Sequence, residues 1–162
     1  MQLRHTPAVL ALSRQPLPTL DRKKYAPASG LAQGAYILAD APGANPEVIL
    51  IASGSEVSLA VEAHEKLLAG GIRSRVVSLP SWEIFDHQPQ EYRDKVLPPG
   101  ITARIMIEQA SMFGWERYVG SSGRMIGMKT FGASAPLKEL LTKFGFEPGR
   151  IVEIAKELLR KP

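Results

Sequence analysis

Val48-Ile49-Leu50-Ile51-Ala52 is an unbroken apolar run, and its lack of alternation means that neither face of the strand it would form can meet water. Such a strand needs cover on both sides. After Ser53-Gly54, residues Val57, Ala60, Val61, His64 and Leu67 recur at the spacing of one helix face, with Glu62 and Lys66 paired four apart on the outside. Gly70-Gly71 ends that helix, and Val76-Val77-Ser78-Leu79 forms a further strand stopped by Pro80. Strand, helix and strand joined by short turns make a βαβ unit and predict a parallel sheet.

Three more apolar runs extend the sheet: Tyr36-Ile37-Leu38, closed by Asp40-Ala41-Pro42-Gly43; Ala103 to Glu108, expected as a central strand; and Met125 to Met128. Trp82 to Phe85 and Glu91 to Leu97 read as short helices, the second ended by Pro98-Pro99-Gly100. Two helices finish the chain, one opened near Pro136 with Leu137, Leu140, Leu141 and Phe144 on a stripe, the other opened at Pro148 with Ile151, Ile154, Ala155, Leu158 and Leu159. Gly145 separates them. The expected class is α/β, a three-layer α/β/α sandwich around a mostly parallel five-stranded sheet.

A chain of 162 residues, 44% hydrophobic and 22% charged, fits one compact domain of this kind. The absence of cysteine excludes disulfides and thiolate metal sites. The start lacks the apolar core of a secretory signal, and no apolar run is long enough to span a membrane, so the expected location is the cytoplasm. A net charge of +4 is spread in ones and twos with acids between, which argues against nucleic acid and for small anionic substrates. Only Asp21-Arg22-Lys23-Lys24 clusters, and its proline-rich surroundings make it a solvated linker.

The run Thr6 to Leu12 looks like a strand that ends in Ser13-Arg14-Gln15-Pro16 with no neighbour before it to pair with. Residues 17–30 read as linker, with the domain beginning near Tyr25 to Leu31. The chain is therefore expected to be a cut from a larger protein. Arg14 sits directly past that strand: it is either a solvated strand end or a planar fork held to grip a phosphate.

Other candidates have plainer readings. Ser53-Gly54-Ser55 lies where a phosphate could meet a helix start, yet Ser53 to Glu56 has the spacing of a capping box, and neither a G-x-G-x-x-G nor a P-loop pattern is present. Glu108, at the end of a central strand, is where open α/β sheets place functional groups, but it has no partner acid or histidine nearby in sequence. His5, His64 and His87 lack metal spacing, and His64 reads as a hydrogen-bonded boundary residue. Met112, Phe113, Gly114, Trp115 and Tyr118 could form an aromatic binding patch, with core or dimer contact as the plainer role. No nucleophile, base and orienting group come together, so no catalytic set is visible.

Ala11-Leu12-Ser13-Arg14-Gln15-Pro16-Leu17-Pro18, the run VILIASGSEV from Val48 to Val57, Ser78-Leu79-Pro80-Ser81-Trp82, Phe113-Gly114-Trp115 and Phe131-Gly132-Ala133-Ser134-Ala135-Pro136 together resemble the C-terminal third of the transketolase family. The resemblance implies that residues 1–24 are the tail of a preceding pyrimidine-binding domain plus linker, and that 25–162 form the C-terminal domain. It implies that Arg14 binds substrate phosphate. It also implies that the full enzyme moves a two-carbon ketol unit from a ketose phosphate to an aldose phosphate in the pentose phosphate pathway. Thiamine diphosphate and a divalent cation (Mg or Ca) would serve as cofactors, in a homodimer acting on sugar phosphates. The family's GDG motif, its downstream asparagine and its activating glutamate are not in the sequence. The piece alone is therefore expected to be inactive, with Glu108 and Ser53 inheriting no catalytic role. Two alternatives remain at this level: the equivalent domain of a related thiamine diphosphate enzyme, and a stand-alone regulatory module binding a nucleotide or other anion at Ser53 to Glu56.

Overall fold

The computed structural model describes residues 7–160, so Thr6 and His5 lie outside them. A sheet with strand order β1-β3-β2-β4-β5 is built from β1 (Tyr36–Ala39), β2 (Val48–Ala52), β3 (Ser74–Ser78), β4 (Arg104–Ser111) and β5 (Arg124–Met128). β2 pairs in parallel with β3 and β4, and β4 with β5. Only the edge strand β1 runs antiparallel, against β3. The expected five-stranded, mostly parallel sheet is present.

Every residue of β2 is buried, as its unbroken apolar run requires. The helices α1 (Glu56–Ala69) and α6 (Pro148–Arg160) cover one face, where Leu50, Ile105 and Ile107 meet Ala60, Leu67, Ile151 and Ile154. The short helices α2 (Trp82–Asp86), α3 (Gln90–Val96) and α4 (Glu116–Val119) cover the other, with Ile49, Ile51 and Met106 against Phe85, Trp115 and Tyr118. Alternate β4 residues thus feed opposite cores, each worth about 25 cal/mol per Å² of apolar surface removed from water.

The amino end of the parallel strands is closed by two arginines. Arg75 of β3, 4% exposed, holds Asp40 through two bonds of 2.8 Å and donates to the carbonyls of Lys95 and Val96. Arg104, first residue of β4, donates to the carbonyls of Leu97, Pro98, Ile101 and Tyr118. Both guanidinium groups thereby meet the carboxyl-terminal carbonyls of α3, where orphan acceptors and the helix dipole favour a cation.

One expectation changes. The run Ala8 to Leu12 is not a strand: residues 7–20 carry no regular secondary structure, because no strand pairs with their amides. Asp21 to Lys24 are all exposed; on that surface Lys24 pairs with Glu65 of α1 at 2.7 Å, and the Tyr25 hydroxyl donates to the same carboxylate at 2.7 Å. α5 (Leu137–Phe144) starts at Pro136 and ends in left-handed Gly145, as the sequence predicts, but buries none of its residues fully.

Candidate functional site

In this strand order the chain leaves β2 toward β3 on one side and β4 lies on the other. The carboxyl ends of β2 and β4 are therefore the switch point at which open α/β sheets place their sites. Four side chains meet there. The Ser53 hydroxyl donates to Glu108 Oε2 at 2.5 Å, and Ser55 donates to Glu56 Oε1 at 2.6 Å. Glu56, in the first turn of α1, is 2% exposed.

The capping box expected between Ser53 and Glu56 is absent: Ser55 occupies the cap position without a side-chain cap bond, and Ser53 turns instead to Glu108 of β4. Gly54, at φ +51°, makes that turn possible. Burial, then the nearby Glu56 carboxyl, push the Glu108 carboxyl up to about 6, while the Ser53 bond opposes the rise. Two carboxyl groups at the start of α1 repel an anion. The two serine hydroxyls that could meet a phosphate donate to carboxylates instead, which argues against a nucleotide or anion module.

Sequence spacing could not reveal that Glu108 has a partner acid, since Glu56 lies in another βαβ arm. The signal was the switch-point rule read together with the acid in Ser53 to Glu56. His64 is buried rather than a boundary residue: its Nδ1 lies 2.8 Å from Ser74 Oγ, and burial pushes its basicity down. Trp115 and Tyr118 belong to the core, whereas Phe113 between them and β4 is exposed. Arg14 lies exposed in a bend of the irregular stretch and meets none of these groups.

Among the described residues no three histidine, cysteine or acidic side chains gather as a metal site, and Glu56 and Glu108 make only a pair. No described helix is long and apolar enough to cross a membrane.

Residues 34–147 match the family model for the transketolase-like TK C-terminal domain. The chain is 45% identical over 155 residues to transketolase of Geobacillus stearothermophilus, covering 96% of this chain and 23% of that protein. It is 48% identical to transketolase 1 of Escherichia coli, over 94% of this chain and again 23% of that protein. The Pichia stipitis transketolase in complex with sedoheptulose-7-phosphate superposes with a TM-score of 0.79 at 36% identity, over 90% of this chain and 20% of that one. The chain spans less than a quarter of the length of these relatives. With the sheet order, the buried β2 and a matching model over residues 34–147 all in agreement, this chain belongs to the transketolase C-terminal domain family.

Proposed function

We propose that the chain works as the C-terminal part of a transketolase, an enzyme that moves a two-carbon ketol unit from a ketose phosphate to an aldose phosphate. The observation that carries this reading is 45% identity across 96% of the chain. That match runs beyond the 34–147 domain and leaves too few residues over to exclude Arg14. In this reading residues 1–24 are the tail of the pyrimidine-binding domain plus linker, and 25–162 the C-terminal domain. Thiamine diphosphate supplies the carbanion chemistry when bound, and it and its divalent cation would be held by residues outside this chain. The enzyme would be a cytoplasmic homodimer.

Arg14 is the residue here that would touch substrate. Its exposed guanidinium presents two parallel donors to a phosphate, an interaction that fixes the sugar's far end. Glu56, Glu108 and Ser53 take no part in the reaction in this reading.

The test is a chimera in which this chain replaces the C-terminal 23% of the Geobacillus enzyme. Ketol transfer from sedoheptulose-7-phosphate is expected in the chimera and not in the isolated chain. Arg14→Ala in the chimera should lower kcat/KM for that donor by about tenfold or more, the scale of a lost charge-assisted bond pair, and affect a nonphosphorylated donor less. Equal losses for both donors would remove the phosphate role. Transfer by the isolated chain would overturn its dependence on the rest.

A further inference from the structure

The register that pairs Ala52 of β2 with Ile107 of β4 puts Ser53 and Glu108 next in line, and the Ser53 hydroxyl closes that step with its 2.5 Å bond to Oε2. Glu56 opens α1, is 2% exposed and takes the Ser55 hydroxyl on Oε1. Each glutamate thus has one hydroxyl donor, and the two carboxyl groups hydrogen-bond each other. A bond between two carboxyl groups requires a proton, because an ionised carboxyl only accepts. Among the described residues neither glutamate is in an ion pair. The other charged groups on the elements packed around them are engaged or exposed. Arg104, at the opposite end of β4, holds carbonyls; on α1, Glu62 pairs with Lys66, Glu65 with Lys24, and His64 lies against Ser74. Arg124 of β5, Lys129 just beyond it, Glu116 and Arg117 of α4 and the charged residues of α6 are all exposed. Glu56 is the charged group that acts on Glu108.

We propose that Glu56 and Glu108 share one proton, and that this proton is a clasp tying the first turn of α1 to the end of β4 in acid and releasing it in base. The amide dipoles at the helix start favour the negative charge on Glu56, so Glu108 keeps the proton, donates it to Glu56 and accepts from Ser53. One point then joins β2, α1 and β4. When the proton leaves to solvent, two like charges stand in contact in a poorly solvated place, and the first turn of α1 separates from β4. Both sides have room to yield. A Cβ at Gly54, in the turn before α1, would meet nothing within 4 Å, and the β4 and β5 pairing loses register just beyond Glu108, between it and Ser111, an irregularity of the kind that re-aims side chains.

A pH titration of the full chain, followed by carbon-13 NMR of its glutamate carboxyl groups, tests the shared proton. The Glu56 and Glu108 resonances, assigned through the backbone, are expected to move together in one step at about pH 6, since the proton belongs to the pair. Hydrogen exchange on residues 53–58 tests the clasp, each rate being taken relative to Glu108→Gln at the same pH so that the intrinsic pH dependence cancels. In that variant the substituted amide donates to Glu56 at every pH. Wild type and variant should exchange alike at about pH 4.5, and wild type about fivefold faster at about pH 8. Ser53→Ala removes the hydroxyl that supports the charged form of Glu108 and should move the common step to higher pH. A Glu56 signal that does not follow Glu108 means two independent acids and overturns the shared proton. Equal exchange at both pH values overturns the clasp, and a step that stays in place or falls in Ser53→Ala overturns the arrangement around Glu108. Should Glu108→Gln not fold, the wild-type titration decides alone: a common step supports the proposal, and separate steps overturn it.

Discussion

The two ends of the parallel sheet are built from opposite charges and treat them in opposite ways. At the amino end, Arg75 and Arg104 are surrounded by acceptors, including four carbonyls from residues 95–98. At the carboxyl end, Glu56 and Glu108 rest against serine hydroxyls with no cation among the described residues to meet them, and phenylalanines stand in water beyond. A saturated charge holds a fold together, while an unsaturated one is left to the proton. The first end is therefore the place to break stability, and the second the place to make it depend on pH.

The largest effect should come from Arg75→Ala, which strands Asp40 and two carbonyls; a loss of about 3–5 kcal/mol in urea unfolding is expected for a broken buried pair. A loss below about 1 kcal/mol would show that the amino end does not hold the fold. Arg104→Ala comes next, at about 2–4 kcal/mol, the scale of several carbonyls losing their donor at once. Arg104→Lys should recover little of it, because an ammonium cannot address carbonyls spread around a planar fork.

At the other end the sign reverses with pH. The Glu108 carboxyl is raised to about 6 in the fold, so the native state binds a proton that the unfolded chain has released above its ordinary value near 4.5. Native stability therefore falls as pH rises through that window and stays lower above it. Glu108→Gln, which keeps the acceptor for Ser53, should gain about 1 kcal/mol at pH 8 after allowance for solvent screening and almost nothing at pH 4.5. A gain that does not change with pH would mean that charge is not its cause. His64 works the other way: its basicity is lowered by burial, so stability is lost as pH falls below its ordinary value of about 6.5. His64→Gln should flatten that acid limb in a titration of the melting temperature.

The smallest effect is the sharpest contrast. Phe113→Ser should change the stability of the isolated chain by less than about 0.5 kcal/mol, as expected for a side chain that touches little. A larger loss, measured in urea, would place Phe113 in the core and erase the difference between the ends.

Much of the framework is legible in residue order. β2 and α1 follow from an apolar run and a 3.6-residue period, and Pro136, Gly145 and Pro148 mark α5 and α6 where they occur. What stays hidden depends on partners far along the chain. Glu108 finds Glu56 and Ser53 only once β4 lies beside β2, and Arg75 finds Asp40 only through the antiparallel edge. The run Ala8 to Leu12 shows the reverse failure, a strand pattern with no strand to pair with. α4 is too short to show a helical period, although Trp115 and Tyr118 take the plainer of their two roles, packed with Phe85 and Trp82.

The chain's two tryptophans are Trp82 and Trp115, crossed edge to face at 5.1 Å between ring centres, directly behind the turn that carries Phe113. All indole light from the molecule therefore originates at one place. A shift in emission colour or quenching reports events at the carboxyl end of the sheet with no contribution from elsewhere, and the crossed rings should add a coupled near-ultraviolet dichroism that vanishes if either is replaced by phenylalanine. The domain carries its own optical probe, already installed at the end of the sheet where the proton acts.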